Sequence, residues 1–206
     1  MLAMQVAVVP RRRWLPEQGA LFDDEPARVI RPSRYSVTGR VATEKSAKSQ
    51  DAESSLEHDF FTLLEYDRRV GKFASQPITL RWEDATGRHR YTPDVAARYT
   101  EAAVLADAAL RTTLFEVKPR EVLKRDWKEF KPKFRAAIAW TRERDFRFRI
   151  VTERQIRTPY LDNVRFLMMF RGKRMTSDSE SIDEIKRRIS ETLYGLKRST
   201  PRDLLN

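Results

Sequence analysis

Tyr91-Thr92-Pro93-Asp94 and, after a polar gap, Phe115-Glu116-Val117-Lys118 hold the residue types needed to hydrolyse a phosphodiester. That chemistry needs a deprotonated water, an in-line approach and positive charge against the transition state; divalent ions supply the last and favour the first. On a strand, Glu116 and Lys118 differ by two and project to one side, with Val117 buried on the other. Asp94 on a neighbouring strand can then share an ion with Glu116, and the Val117 carbonyl is a further candidate ligand. Lys118 would orient the attacking water and offset phosphate charge. Taken alone, Glu-x-Lys is a common pattern of solvated strand faces. The upstream Pro-Asp and the apolar Leu114, Phe115 and Val117 change its weight. Two carboxylates on a buried strand pair are costly unless a cation sits between them.

Composition narrows the chemistry further. The 206 residues can hold one substantial core, and the net charge of +11 points to a polyanionic partner. Nucleic acid fits better than a membrane, because no apolar run reaches the roughly 18 residues of a spanning helix. The apolar start, Met1 to Val9, precedes its charges (Arg11, Arg12, Arg13) instead of following them, unlike a secretory leader. A cytoplasmic protein is the expectation. With no cysteine and two histidines, disulfides, thiolate zinc sites and histidine-rich metal centres are excluded. Any metal must be held by oxygen, which suits Mg²⁺ or Mn²⁺. From Arg120 to Met175 there are 17 Lys and Arg against 7 Asp and Glu, nearly the whole basic excess. Arg120, Lys124, Arg125, Lys128 and Lys133 directly follow the Glu-x-Lys strand and are the expected phosphate contacts.

The elements that must position these groups are partly legible. Residues 1–50, rich in Arg and Pro, read as a mostly extended basic arm available to DNA or a partner. Ser54 to Asp67 predicts a helix with apolar stripes through Leu56, Phe60 and Leu63. Ser54-x-x-Glu57 matches a capping box; alternatively, Glu57 points a semi-buried carboxylate at a metal site. On spacing alone the cap is the better account. Lys72–Trp82, interrupted by Pro77, predicts one edge or bent strand, Arg90–Tyr99 a second and Thr112–Lys118 a third, with a turn at 84–88. Residues 100–110 read as a turn without definite conformation. Glu121–Arg144 predicts a helix kinked or divided at Pro132. Trp127, Phe130, Phe134, Ile138 and Thr141 form its stripe, read as core rather than as a base-stacking surface. A strand over Phe146–Val151, a helix over Pro159–Arg171 and an amphipathic helix from Ser181 follow. The expected class is α/β: a mixed sheet flanked by helices over 51–171, with a short helical tail over 172–206.

Five blocks in order carry a resemblance. They are Ser55–Phe61 with Leu64–Asp67, Phe73–Pro77, Tyr91–Asp94, Phe115–Pro119 and Phe148–Ile156. Together they resemble the PD-(D/E)xK nuclease superfamily and, within it, the TnsA family. These are the endonuclease subunits of heteromeric cut-and-paste transposases, including those of CRISPR-associated transposons. The resemblance implies a restriction-endonuclease-like fold and the catalytic set Glu57, Asp94, Glu116 and Lys118. It further implies cleavage of the 5′ ends of the non-transferred strands at transposon ends, in a bacterial cell. The implied partners are a DDE transposase (TnsB) that cuts and joins the 3′ ends and an AAA+ regulator (TnsC). Two other readings stand beside it: a stand-alone restriction-type or junction-resolving nuclease, and a non-catalytic basic DNA-binding assembly subunit.

Overall fold

The stretch Thr113–Val117 is buried at every position. Phe115 and Val117 feed one apolar cluster and Leu114 feeds another, as alternation does in a central strand covered on both faces. The structure, a computed structural model, describes residues 13–14, 21–22, 39–41, 43–46, 50–168, 187 and 191. The chain divides into two compact units, Met1–Met169 and Phe170–Asn206. In the second, the described residues are Arg187 and Glu191, both helical and joined by an ion pair of 2.7 Å. The rest of the helix expected from Ser181 lies outside the described residues, as do the Gly172 break before it and most of residues 1–50.

In chain order the first unit contains β1 (Arg13–Trp14), β2 (Gly39–Val41), β3 (Gln50–Ala52), α1 (Ser55–Tyr66), β4 (Val70–Ser75), β5 (Leu80–Asp84), β6 (Gly87–Tyr91) and β7 (Val95–Tyr99). Then come α2 (Glu101–Ala106), β8 (Thr113–Val117), α3 (Arg120–Arg125), α4 (Trp127–Arg142), β9 (Arg147–Val151), α5 (Glu153–Ile156) and α6 (Pro159–Met168). A four-stranded sheet runs β4-β7-β8-β9, antiparallel except for the β8–β9 pair. A three-stranded antiparallel sheet runs β1-β5-β6, and β2 pairs with β3. Leu56, Phe61 and Leu64 of α1, with Ile156 and Leu161, cluster with Phe73, Val95, Phe115 and Val117. Phe134, Ala137 and Trp140 of α4 join Leu80, Trp82 and Tyr91 of the hairpin against Ala96 and Leu114. The architecture is α/β, a mixed sheet flanked by helices, and it is consistent with a restriction-endonuclease-like fold.

Several boundaries differ from the expected ones, each for a physical reason. The strand expected over Lys72–Trp82 is two strands in different sheets. The chain turns at Gln76, whose φ of 43° lies in the left-handed region, and Pro77 follows. The strand expected over Arg90–Tyr99 is likewise divided between β6 and β7 by Thr92-Pro93-Asp94, where a proline cannot donate to a ladder. Residues 101–106 are helical, because Thr100 caps them by accepting from the Ala103 N–H at 3.2 Å. The predicted break at Pro132 falls instead at Asp126 (φ −106°, ψ 18°), and Pro132 lies inside α4. α5, unexpected from the spacing, is held by a reciprocal capping box between Thr152 and Gln155.

Residues 43–46 and Gln50 bind the ends of α1 and β4. The Lys45 ammonium donates to the Leu64 carbonyl at 2.7 Å and to that of Asp67, placing a cation on helix α1's last carbonyls. Thr43 Oγ1 donates to the buried Glu65 carboxylate, Ser46 Oγ to the Phe73 carbonyl, and the Ser75 N–H to Gln50 Oε1 at 2.6 Å. Behind α1, buried Asp59 accepts from Arg157 at 2.8 Å and from Arg165, which ties α1 to α5 and α6.

Phe61 is fully buried and its ring lies 5.7 Å from that of Phe73. Phe61→Ala is expected to cost about 3–5 kcal/mol. Urea unfolding will show it as a lower midpoint with little change in slope.

Candidate active site

The β7–β8 register brings the two sequence stretches together. Val95 faces Phe115, and each step along one strand reverses along the other. One step beyond that last pair sets Asp94 opposite Glu116. A hydrogen bond completes the step: the Val117 N–H donates to Asp94 Oδ2 at 2.8 Å. Asp94 therefore sits at the start of β7, pinned to the C-terminal end of β8. Lys118 lies just past β8, where its own N–H bonds the Val151 carbonyl at 3.1 Å.

The Lys118 ammonium gathers the acids. It lies 3.1 Å from Asp94 Oδ2, 3.3 Å from Oδ1 and 3.5 Å from Glu116 Oε1. Asp94 and Glu116 are both buried. Burial works against the Lys118 charge, but Asp94, Glu116 and Glu57 outweigh it and hold the lysine protonated far into the alkaline range. Such a group donates hydrogen bonds and positive charge. Burial, then the Asp94 charge, pushes the Glu116 carboxyl up to about 7. Burial also raises Asp94, against the opposing pull of Lys118 and the Val117 N–H.

Glu57 reaches the same cluster from the first turn of α1. Its Oε1 accepts from Ser54 Oγ at 3.1 Å, its Oε2 from the Glu53 N–H at 2.9 Å, and its own N–H donates to Ser54 Oγ at 3.2 Å. Cap and site carboxylate are therefore one arrangement. The cap differs from the expected box in its amide, which belongs to Glu53 and not to Ser54. Burial and then the Asp94 charge push Glu57 up to about 7 as well. Three carboxylates thus meet one lysine, leaving a deficit of positive charge.

Two further residues shape the cluster. Tyr91, buried in the hairpin layer, donates its hydroxyl to Glu116 Oε2. Burial and the adjacent Glu116 charge raise its pKa well above the ordinary value, so the phenol stays a donor. It occupies one oxygen of Glu116 and leaves Oε1 toward Lys118. Gln76, at the same end of the sheet, donates its N–H to the Asp94 carbonyl at 2.8 Å. Its Oε1 is buried with no hydrogen-bond partner among the described residues. A buried phenol three residues before Asp94 follows from alternation on β6; a left-handed glutamine had no visible signal.

The Asp94 and Glu116 carboxylates are oxygen donors of the kind a hard divalent cation takes. Among the described residues, no group of three or more His, Cys, Asp and Glu is arranged as a metal cage. The expected phosphate contacts follow on α3 and α4. Lys124 pairs with Glu121 at 2.9 Å, Arg125 with Asp126 at 2.7 Å and Lys133 with Glu129 at 2.7 Å. Arg120 and Lys128 are exposed. In the α4 stripe Phe134 is core and stacks on Phe130 at 5.4 Å, as expected, whereas Trp127 is 45% exposed and Ile138 37%.

Residues 67–153 match the model of a family described as TnsA-like endonuclease N terminal. The match takes in Gln76, Tyr91, Asp94, Glu116 and Lys118, while Glu57 precedes it. No curated protein matches the chain.

Two outcomes are expected of the site. Because Glu57 and Glu116 rise from 4.5 to about 7 on folding, the folded state binds more protons between those values. Their contribution to stability is fully present below about pH 4.5 and is lost as pH rises through about 7. The metal-free thermal midpoint should therefore fall over that window, and Mn²⁺ should raise it more at about pH 8 than at about pH 5. Tyr91→Phe keeps the ring but frees Glu116 Oε2. It should weaken Mn²⁺ binding by about 10–100-fold in calorimetry and lower unfolding stability by about 1–3 kcal/mol, because a buried carboxylate oxygen loses its donor.

Proposed function

Because the chain carries a TnsA-like endonuclease domain over residues 67–153, we propose that it is the DNA-cutting subunit of a Tn7-type transposase. It cleaves the 5′ ends of the non-transferred strands, using Mg²⁺ or Mn²⁺, in the bacterial cytoplasm. Its partners are transposon-end DNA, a DDE transposase that handles the 3′ ends, and an AAA+ regulator. The observation that supports this most is the Lys118 ammonium shared by buried Asp94 and Glu116, with Glu57 beside them.

Asp94, Glu116 and the Val117 carbonyl would hold the ion. When bound, it supplies positive charge at the scissile phosphate and a more acidic water. The chain does the rest. The Val117 N–H and Lys118 fix the Asp94 carboxylate, and Tyr91 fixes that of Glu116. Lys118, held protonated, donates to the attacking water or to a phosphate oxygen and balances charge there. Glu57, anchored by Ser54 and the Glu53 N–H, presents its carboxylate beside them. Arg120, Lys124, Arg125, Lys128 and Lys133 then hold the duplex backbone next to the cut. We assign DNA and partner contacts to the arm before residue 43 and to the tail over 172–206, since Thr43, Lys45, Ser46 and Gln50 are engaged with α1 and β4.

Strand-specific cleavage of labelled transposon-end DNA tests this reading. Wild type with metal and the partner transposase should give 5′ cuts. Asp94→Ala should abolish them, and Lys118→Ala should slow them by about 100–1,000-fold, both read at a temperature where circular dichroism shows the variant folded, because each also loses a buried charge partner. Cutting without the partner would make the protein an autonomous nuclease. Preserved DNA binding with no metal-dependent cutting would make it an assembly subunit.

A further inference from the structure

The β5–β6 hairpin turns one face to Leu114 and α4 and the other outward. On the inward face lie Leu80, Trp82 and Tyr91, all buried. On the outward face the register sets Arg81 directly opposite Arg90 and Glu83 opposite Arg88, while β1 adds Arg13 opposite Glu83. All four arginines are exposed. The single acid on this face, Glu83, lies 3.9 Å from Arg88. Among the described residues, neither Arg81 nor Arg90 has a side-chain hydrogen bond or an ion pair. Like charges placed directly across a strand pair are destabilising. For the isolated chain this pairing contributes nothing to the fold.

We propose that this outer face is a second DNA-backbone contact surface, with Arg81 and Arg90 binding phosphates. The inference rests on the nuclease reading above and adds to it a surface well away in sequence from α3 and α4. The guanidinium fork matches phosphate oxygens in a way a lysine does not. A duplex, with one charge per about 1.7 Å of axis, relieves opposed cations that no described residue balances. The position fits. Arg81–Arg90 is one register step from Leu80–Tyr91, and Tyr91 donates to Glu116 in the site. The base of the hairpin therefore lies next to the proposed cutting site, with the two arginines on the face opposite Tyr91. The contrast with α3 and α4 is instructive, because Lys124, Arg125 and Lys133 each carry a carboxylate partner that DNA must displace.

The test is a salt titration of DNA binding by the full chain, read by anisotropy on a labelled duplex of arbitrary sequence. The logarithm of the wild-type affinity should fall linearly with that of salt. In the double variant Arg81→Ala/Arg90→Ala the slope should shrink by about 2, because two phosphate contacts are lost. Arg81→Lys/Arg90→Lys should keep most of the slope and bind more weakly. The thermal midpoint of the alanine variant should stay level or rise, which separates lost contacts from damaged folding. An unchanged slope and affinity in that variant overturns the proposal, whether or not metal-dependent cleavage persists. So does a variant that binds DNA like wild type but no longer joins the partner transposase, which would make the face a protein surface. Wild-type protein with neither salt-dependent binding nor metal-dependent cleavage would remove the nuclease reading along with it.

Discussion

The structure depends on one buried charge arrangement, the Lys118 ammonium between Asp94 and Glu116. Burying two carboxylates would cost several kcal/mol without a cation and without donors to their oxygens. The strand register answers part of that cost. It sets Asp94 where the Val117 N–H reaches it and Glu116 where Tyr91 reaches it from the other sheet. The four-stranded sheet, the hairpin and the first turn of α1 each contribute one element of this cluster, so the fold and the site are stabilised by the same bonds.

The arrangement is incomplete in a useful sense. One ammonium faces three carboxylates, and two of those are pushed up to about 7, into the range where a proton and a divalent ion compete. A site finished with a second lysine would be more stable and inert. Its instability at neutral pH suits the divalent ion that the proposed nuclease would bind there.

The Pro-Asp and Glu-x-Lys stretches were legible in the sequence because strand alternation and proline chemistry act locally. Ser54 was readable as a cap for the same reason. Glu57's second role was not, because it depends on how α1 lies against the end of β7, a contact between distant parts of the chain. Expecting single strands through Pro77 and Pro93 failed in the same way: propensity says where a strand bends, and only tertiary pairing says that it changes sheet. Pro132 misled because the helix gave way at Asp126, where a turn is anchored by Arg125. The α4 stripe was half right. Phe134 lies in the core, while the buried face runs on through Ala137 and Trp140, which alanine-rich spacing concealed.

The bonds made by residues 43–46 and by Gln50 bear on how modular this chain is. Composition changes near residue 50, which invites the view of a detachable appendage joined to an independent catalytic body. Yet Lys45 covers the carbonyl end of the helix whose other end holds Glu57, and Thr43 and the Glu44 N–H bond the buried Glu65 carboxylate. Severing the chain at residue 51 would strip these partners away and divide the β2–β3 pair. A body cut as residues 51 onward, by recombination or by hand, would therefore start without the contacts that close the far end of α1.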